Sequence, residues 1–481
     1  MVFGSAPDKV IVVDLDGTLV HSDTLVESLF IFIRLYPSRF LEMLSWILSG
    51  KAYFKSHLAN VVIPNVIDLP YNMKLIKWLK MQKTPRVKLV LATASDHRIA
   101  NAVGCHLGIF DEVIGTVDVN LSSIQKKSLL VKRFGEKNFE YVGNSRADLS
   151  VWQSANQIHI VNPECGVMTA AKKIGPVKTV FENRPPYLKS LIKTLRIHQW
   201  AKNLLIFVPL LASHRIFEIQ LLFNGMLAFI AFGLCASSVY LLNDLLDLPD
   251  DRQHNSKCYR PLAAGTFPIV HALFLIPVLL FAAFSLALFF LPISFVVVLF
   301  AYYVLTLIYS LWLKRMAMID VIVLAILYTI RVVAGAAAMS LVATFWILAF
   351  CMFIFLSLAF VKRYTELCDA RQKKRGRLDK TLGRGYYPAD FELLASLGGA
   401  SGYISVLVLA LYINDAASGL LYRDQRWMWA ACPLLMFWLS RLWLLAHRGQ
   451  MHEDPIVFAL RDNVSRFTGF SFVLVFVLAT L

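Results

Sequence analysis

From about residue 203 to the C-terminus the chain carries apolar runs with the length and purity of membrane spans, such as GMLAFIAFGLCASSVYLL and FLIPVLLFAAFSLALFFL. Residues 1 to about 190 instead scatter charges throughout, as a soluble domain does. These two populations cannot share one core. A length of 481 residues leaves room for two or three domains. Expected spans lie near 203–213, 219–243, 269–291, 293–310, 319–339, 342–361, 391–413, 427–446 and 464–481, about nine in all, with the first and last marginally short.

The boundary falls at FENRPPYLKSLIKTLRIHQWAKN, where prolines precede a basic amphipathic stretch suited to anionic headgroups. The expected division is 1–185 for the soluble domain, 186–202 for an amphipathic linker and 203–481 for the membrane domain. The opening MVFGSAPDKVIVVDLDG leads straight into acids with no cleavage-like site, so the soluble domain is expected in the cytoplasm of a multi-pass inner-membrane protein. Seven cysteines without paired spacing suggest neither zinc nor disulfides. The net charge of +16 concentrates in the linker and in the loops 244–268, 311–318, 362–390 and 447–463. That pattern places those loops on the cytoplasmic side and argues against nucleic acid as a partner.

In the soluble half, KVIVVDLDGTLVHSDTL (9–25) reads as a buried strand delivering Asp14 and Asp16 at its C-terminal edge, where open α/β sheets place their chemistry. A second strand, VKLVLATASD (87–96), is expected to end at Thr93, and a third, in FEYVGNSRADL (139–149), at Gly143. The pair Lys126-Lys127 lies between the last two. This order resembles the haloacid dehalogenase-like hydrolases over residues 8–165, nearest the phosphoserine-phosphatase branch, with a helical insert at about 23–85 as a cap. The resemblance implies a doubly wound α/β fold and a Mg²⁺-dependent phosphatase. It makes Asp14 the nucleophile and Asp16 the general acid/base; Thr93 and either Lys126 or Lys127 would hold the phosphoryl oxygens. The metal would sit on Asp14, Asp16, Asn144 and Asp148. At Asn144 the family usually has aspartate, so one negative charge is missing and weaker Mg²⁺ binding or an inert module follows.

In the membrane half, VYLLNDLLDLPDDRQHNSKCYRPLAAG (239–265) sets Asn243, Asp244, Asp247 and Asp251 at the end of a span. Spacings of three and four would put the three acids on one helix face, although Pro249 threatens a kink. Clustered carboxylates need a neutralising cation, and Mg²⁺ bound to a diphosphate supplies one. The motif resembles the UbiA superfamily of membrane transferases over about residues 190–481, an all-α polytopic fold. Only one acid, Asp320, stands where aromatic prenyltransferases usually carry a second cluster. RIHQWAKN (196–203), DDRQHNSKCYRPLAAG (250–265), KRYTEL (362–367) and HEDPIVFALRDN (452–463) look like the decaprenyl-phosphate phosphoribosyltransferase branch, with Asn255 and Cys258 as departures.

That branch implies transfer of 5-phosphoribose from phosphoribosyl pyrophosphate to a polyprenyl phosphate, followed by dephosphorylation in the soluble domain. Asp244, Asp247 and Asp251, with Asp320, would hold Mg²⁺ and pyrophosphate, and Asn243 would orient them. Lys257 and Arg260 would grip the donor, and Lys202, Lys362 and Arg363 the lipid phosphate. Tyr309, Lys314 and Arg331 are further substrate-side candidates; a buried ion pair with Asp320 is the alternative for Arg331. The basic loop 371–384 could serve as a lid, and His452, Asp454 and Asp462 are weaker site candidates. A prenyltransferase using prenyl diphosphate, and a scaffold with two degenerate sites, are the competing readings.

Overall fold

A computed structural model describes residues 9–117, 121–254, 256–373, 385–415, 422–451 and 454–480. Asn255, His452 and most of the basic loop 371–384 lie outside the described residues. The chain divides into two units, Met1–Leu195 with Leu241–Leu275, and Arg196–Tyr240 with Ile276–Leu481.

The first unit is built on a six-stranded parallel sheet ordered β3-β2-β1-β4-β5-β6. Its strands are β1 (Lys9–Val13), β2 (Val87–Asp96), β3 (Glu112–Thr116), β4 (Glu140–Gly143), β5 (Gln157–Val161) and β6 (Val177–Phe181). The run Val10–Val13 is buried on both faces, as a central parallel strand requires. Strand β2 continues three residues past Thr93, which matters below. Helices α5 (His97–Leu107), α6 (Ser123–Phe134), α7 (Leu149–Trp152) and α8 (Val167–Ile174) follow successive strands and complete the doubly wound α/β fold. Between β1 and β2 stand α1 (Thr24–Leu35), α2 (Phe40–Leu48), α3 (Lys51–Val61) and α4 (Met73–Gln82). The first three share a small core of Phe32, Met43, Trp46 and Leu58. After β6 comes α9 (Tyr187–Thr194).

Eight helices among the described residues are long and apolar enough to cross a membrane. They are α11 (Ile219–Leu246), α13 (Ile269–Phe290), α14 (Ile293–Leu311), α15 (Ile319–Ala338), α16 (Phe345–Lys373), α17 (Phe391–Ile413), α18 (Ala431–His447, preceded by a 3-10 turn) and α20 (Asn463–Thr480). Two shorter helices, α10 (Val208–Ala212) and α12 (Leu248–Gln253), flank α11, and α19 (Pro455–Arg461) precedes α20. The expected first span at 203–213 is not an α-helical span. Residues Ile197–Phe207 wind as a 3-10 helix that passes into the five-residue α10. Pro209 has no N–H to donate to Leu205, so one rung of the α-helical ladder is missing where the 3-10 winding passes into α10.

Glycines seat this 3-10 segment in the second unit. A Cβ on Gly233 would lie 2.6 Å from the Trp200 indole, and one on Gly335 would lie 1.9 Å from the Ile206 carbonyl oxygen. Close backbone approach of this kind is how small residues pack membrane helices.

Candidate functional site

In the first unit, β1 ends with the backbone N–H of Asp14 donating to Val142 O of β4, 3.0 Å away. The chain then turns through Gly17 at φ +74°, where a Cβ would strike the Asn144 amide at 2.4 Å. Only glycine meets both demands. Lys126 Nζ donates to Asp14 at 2.7 Å and to the Tyr141 hydroxyl at 3.1 Å. That resolves the lysine pair in favour of Lys126, which is buried on α6; Lys127 is half-buried and makes no such contact. Asp16 accepts from the Thr24 N–H at 2.8 Å and from the Ser95 hydroxyl. Thr93 is buried and its hydroxyl accepts from the N–H of Ser95. Ser95 was missed in the sequence, although it lies two residues after Thr93 and so on the same face of β2.

Burial pushes the Asp14 carboxyl up to about 7 despite the opposing pull of Lys126. Burial, with Asp23 adding repulsion, pushes Asp16 up to about 6. Two acids held this uneasily are what a divalent cation would relieve.

Asp148 stands differently. It accepts from Asn144 N–H (3.0 Å), Ser145 N–H (2.9 Å) and the Tyr141 hydroxyl (2.8 Å), so its oxygens are spent on the loop and on the lysine's neighbour. Asn144 Oδ1 accepts from the Thr18 hydroxyl at 3.2 Å and keeps a second lone pair. Asp14, Asp16 and the Asn144 carbonyl form an all-oxygen donor set that fits Mg²⁺ with one charge fewer than three carboxylates would give. Among the described residues no group of three or more His, Cys, Asp or Glu is arranged to hold a metal ion, so neither this site nor the expected Asp244, Asp247 and Asp251 set brings three acids together.

The acid motif belongs to the same unit and differs from the single helix face that spacing implied. Helix α11 ends at Leu246, Asp247 bridges the break, and α12 begins at Leu248 with Pro249 in its first turn. The proline cannot continue an α-helical ladder, so the chain restarts there. Asp244 and Asp251 nevertheless meet, because both accept from Nη1 of Arg260, at 3.2 and 2.5 Å. Burial pushes Asp251 up to about 6, with Arg260 opposing. Asn243 Oδ1, in the last turn of the same helix α11, is buried with no hydrogen-bond donor. A buried oxygen without a donor, on a helix end that also carries two carboxylates, fits an oxygen-seeking cation or a hydrated one. Asp247 stands half-buried at the break between the two helices, and Lys257 opens a half-buried 3-10 turn just before Arg260.

In the second unit, Asp454 gathers two of the expected lysines, accepting from Lys202 at 2.7 Å and Lys362 at 3.1 Å. The Tyr328 hydroxyl donates to it as well, at 3.1 Å. Burial works against the Asp454 carboxylate, but the two lysines hold it far below the usual range. Burial likewise pulls Lys202 below its ordinary value, Asp454 opposing. Arg331 is buried and donates to Asn203 Oδ1 and the Tyr302 hydroxyl, both at 3.2 Å, with the rings of Phe232, Tyr302 and Tyr328 around its guanidinium.

Asp320 is therefore not the partner of Arg331. It pairs with Arg363, which also donates to Tyr309 at 3.0 Å, and the Tyr386 hydroxyl takes its other oxygen. Both oxygens of Asp320 are thus committed to protein donors, and Arg363 is tied to an acid. Lys314 is half-buried on the short 3-10 turn Leu313–Arg315. Asp462 pairs with Arg441 at 2.6 Å.

A doubly wound α/β domain with two carboxylates at a strand end, on one chain with a helical domain of eight possible spans and an acid motif at a helix end, defines a membrane transferase with an appended α/β module. The chain belongs to the UbiA prenyltransferase family, whose model matches residues 204–467. It is 35% identical to the uncharacterized protein y4nM of Sinorhizobium fredii, over 98% of this chain and 90% of that one. Nodulation protein NoeC of Azorhizobium caulinodans is 33% identical over 56% of this chain and 86% of its own length. The decaprenyl-phosphate phosphoribosyltransferase of Mycolicibacterium smegmatis is 30% identical over 58% of this chain and 88% of its own.

Proposed function

We propose that the chain transfers 5-phosphoribose from phosphoribosyl pyrophosphate to a polyprenyl phosphate, and that its soluble domain then removes the 5-phosphate. The observation that carries the first step is the convergence of Asp244 and Asp251 on Arg260, with an unpartnered Asn243 oxygen buried at the same helix end. The relative named for decaprenyl-phosphate phosphoribosyl transfer supports the choice of substrates.

An oxygen of the lipid phosphate attacks the anomeric carbon of the ribose as the bond to pyrophosphate breaks, and the pyrophosphate leaves with the electron pair. Asp244, Asp247 and Asp251 would hold Mg²⁺, with Asn243 orienting, and the ion would mask the leaving group's charge. Arg260, already placed between Asp244 and Asp251, binds the pyrophosphate with a fork that suits phosphate oxygens. On the acceptor side, Lys202 and Lys362 hold the lipid phosphate and Arg331 adds a buried cation; Asp454 aims the two lysines.

In the soluble domain Asp14 attacks the 5-phosphoryl group, Asp16 gives a proton to the leaving ribose oxygen, and Asp16 then activates water to release phosphate from Asp14. Lys126 offsets the charge on the nucleophile and the phosphoryl group. Asp14, Asp16 and Asn144 would hold the Mg²⁺ of this site. Both sites lie on the cytoplasmic side in this reading.

Transfer of a prenyl group from its diphosphate is the weaker reading, since Asp320 is occupied by Arg363 and Tyr386. The test is incubation of detergent-purified protein with Mg²⁺, polyprenyl phosphate and phosphoribosyl pyrophosphate labelled in the ribose. Label should enter the lipid phase with the wild type and not with Asp244→Ala. Turnover of prenyl diphosphates without pentosyl transfer would overturn the proposal.

A further inference from the structure

The first unit holds both the phosphatase-type carboxylates and the acid motif, and a set of polar contacts ties one to the other. Helix α12 presents two faces. Asp251 turns toward Arg260 and Asp244, while Asp250, Arg252 and Gln253 reach the helical insert. Arg252 forms a bidentate pair with Glu27 of α1 at 2.7 and 2.6 Å, and its Nε donates to Ala263 O at 3.1 Å. The two side chains are only 7% and 4% exposed, so this pair is a buried clasp rather than a surface ion pair. Arg34 of α1 holds Asp250 at 2.6 Å, and Gln253 donates to Asp68 at 2.8 Å. Gly265 packs against the turn that follows the nucleophile strand, where a Cβ would come within 2.4 Å of His21 Cβ.

Glu27 lies one turn from the phosphatase-type site. The Ser22 hydroxyl donates to it, and Thr24, at the start of the same helix, supplies the N–H that binds Asp16. The insert is shut against the sheet: Lys55 donates to Ala94 O at 2.8 Å and Arg98 to Ser56 O at 2.8 Å. The cavity left between Leu25, Ser28, Lys55, Leu58, Ser95 and Asp96 is about 10 Å³, room for one water at most. A sugar phosphate fits into this gap only if the insert lifts, and the contacts above tie the insert to α12.

The chemistry gives this arrangement a purpose, on the function proposed above. The donor and the lipid-linked product carry the same 5-phosphate, so a phosphatase open to both would destroy the donor before transfer. We propose that Glu27 and Arg252 are specificity-determining positioning residues that keep the insert closed on the phosphatase site against the free donor, so that the donor's 5-phosphate is spared and hydrolysis waits until the insert lifts for the lipid-linked product. They touch neither substrate; they act through α1 and α12.

The test uses the full-length protein in detergent with Mg²⁺ and phosphoribosyl pyrophosphate, without lipid acceptor, and reads orthophosphate by a method blind to pyrophosphate. Wild type should release little. Glu27→Gln and Arg252→Gln should each raise Asp14-dependent release by about tenfold or more, within the usual range of site coupling. The charge-swapped double variant, Glu27→Arg with Arg252→Glu, should bring it back toward wild type, which a general loosening of the fold would not. Label transfer to lipid should persist in all three.

Wild-type release from the donor as fast as that of the single variants would overturn the inference. So would single variants that lose phosphate release from the lipid-linked product, since the clasp would then be mere scaffolding. A wild type that forms labelled lipid but never dephosphorylates it would defeat the phosphatase reading itself. That failure is recognisable because no variant would then release Asp14-dependent phosphate from either substrate.

Discussion

Gly335→Ala is the sharpest structural perturbation available. Gly335 lies one turn after Arg331 on α15, facing the 3-10 segment that carries Lys202 and Asn203. The added Cβ would sit 1.9 Å from Ile206 O, 2.7 Å from its carbonyl carbon and 2.9 Å from its Cα. All three are backbone atoms, so no side chain can swing aside. Reaching even 3.0 Å from the oxygen requires the segment to retreat by about 1.1 Å. A retreat of that size from α15 stretches the 3.2 Å bond between Arg331 and Asn203 past about 4 Å, outside hydrogen-bond range.

Overpacking costs about 1–3 kcal/mol. The lost bond to a charged group would add about 1.5–3 kcal/mol in water, but polar contacts within membranes average nearer 0.6. A net loss of roughly 2–4 kcal/mol follows. Thermal unfolding in detergent should show a clear drop in midpoint, and the concentration of polyprenyl phosphate needed for half-maximal transfer should rise. Gly399→Ala and Gly469→Ala are the controls. Both are helical glycines with nothing within 4 Å of a new Cβ, so alanine should be neutral or stabilise by up to about 1 kcal/mol. If Gly335→Ala behaved like these controls, the seating of the segment against α15 would be refuted.

Lys126→Met should abolish most phosphate release, by about a hundredfold or more, because Asp14 already sits near 7 and loses the cation that holds it down. Lys127→Met should stay within about twofold of wild type; equal losses at both positions would refute the assignment. Asn144→Asp returns a carboxylate to the Asp14–Asp16 pair and should lower the Mg²⁺ concentration for half-maximal phosphate release about tenfold, with lower stability in chelator. An unchanged Mg²⁺ titration would show that position 144 does not face the metal.

Local signals carried much of the site. The apolar strand before Asp14 and Asp16, the glycine turn and the acid motif at a helix end are all contiguous, and each constrains its own neighbourhood. What the sequence could not convey is pairing across distance. Spacing cannot choose Lys126 over Lys127, because the choice depends on which face of α6 meets Asp14, 112 residues away. The same holds for Arg363 rather than Arg331 on Asp320, and for Glu27 with Arg252, 225 residues apart. Asp454 is only a weaker site candidate by sequence, and the structure brings Lys202 to it from 252 positions upstream. The break at Asp247 and the loss of the first α-helical span each trace to a proline whose effect on the register, unlike its presence, needed the surrounding packing to settle.

The 3-10 winding of residues 197–207 has a consequence of its own. At three residues per turn, Trp200, Asn203 and Ile206 fall in one line, and they meet Gly233 and Ser237, Arg331, and Gly335 in that order. Lys202 stands on the neighbouring line, toward Asp454. An α-helix of the same sequence advances about 100° per residue instead of about 120°, so with Ile206 fixed it would turn Lys202 by about 80° and Trp200 by about 120°. The lysine's aim is therefore a matter of pitch. A relaxation toward α-winding would swing Lys202 off Asp454 while Ile206 stayed in its socket, breaking a buried ion pair by rotation alone.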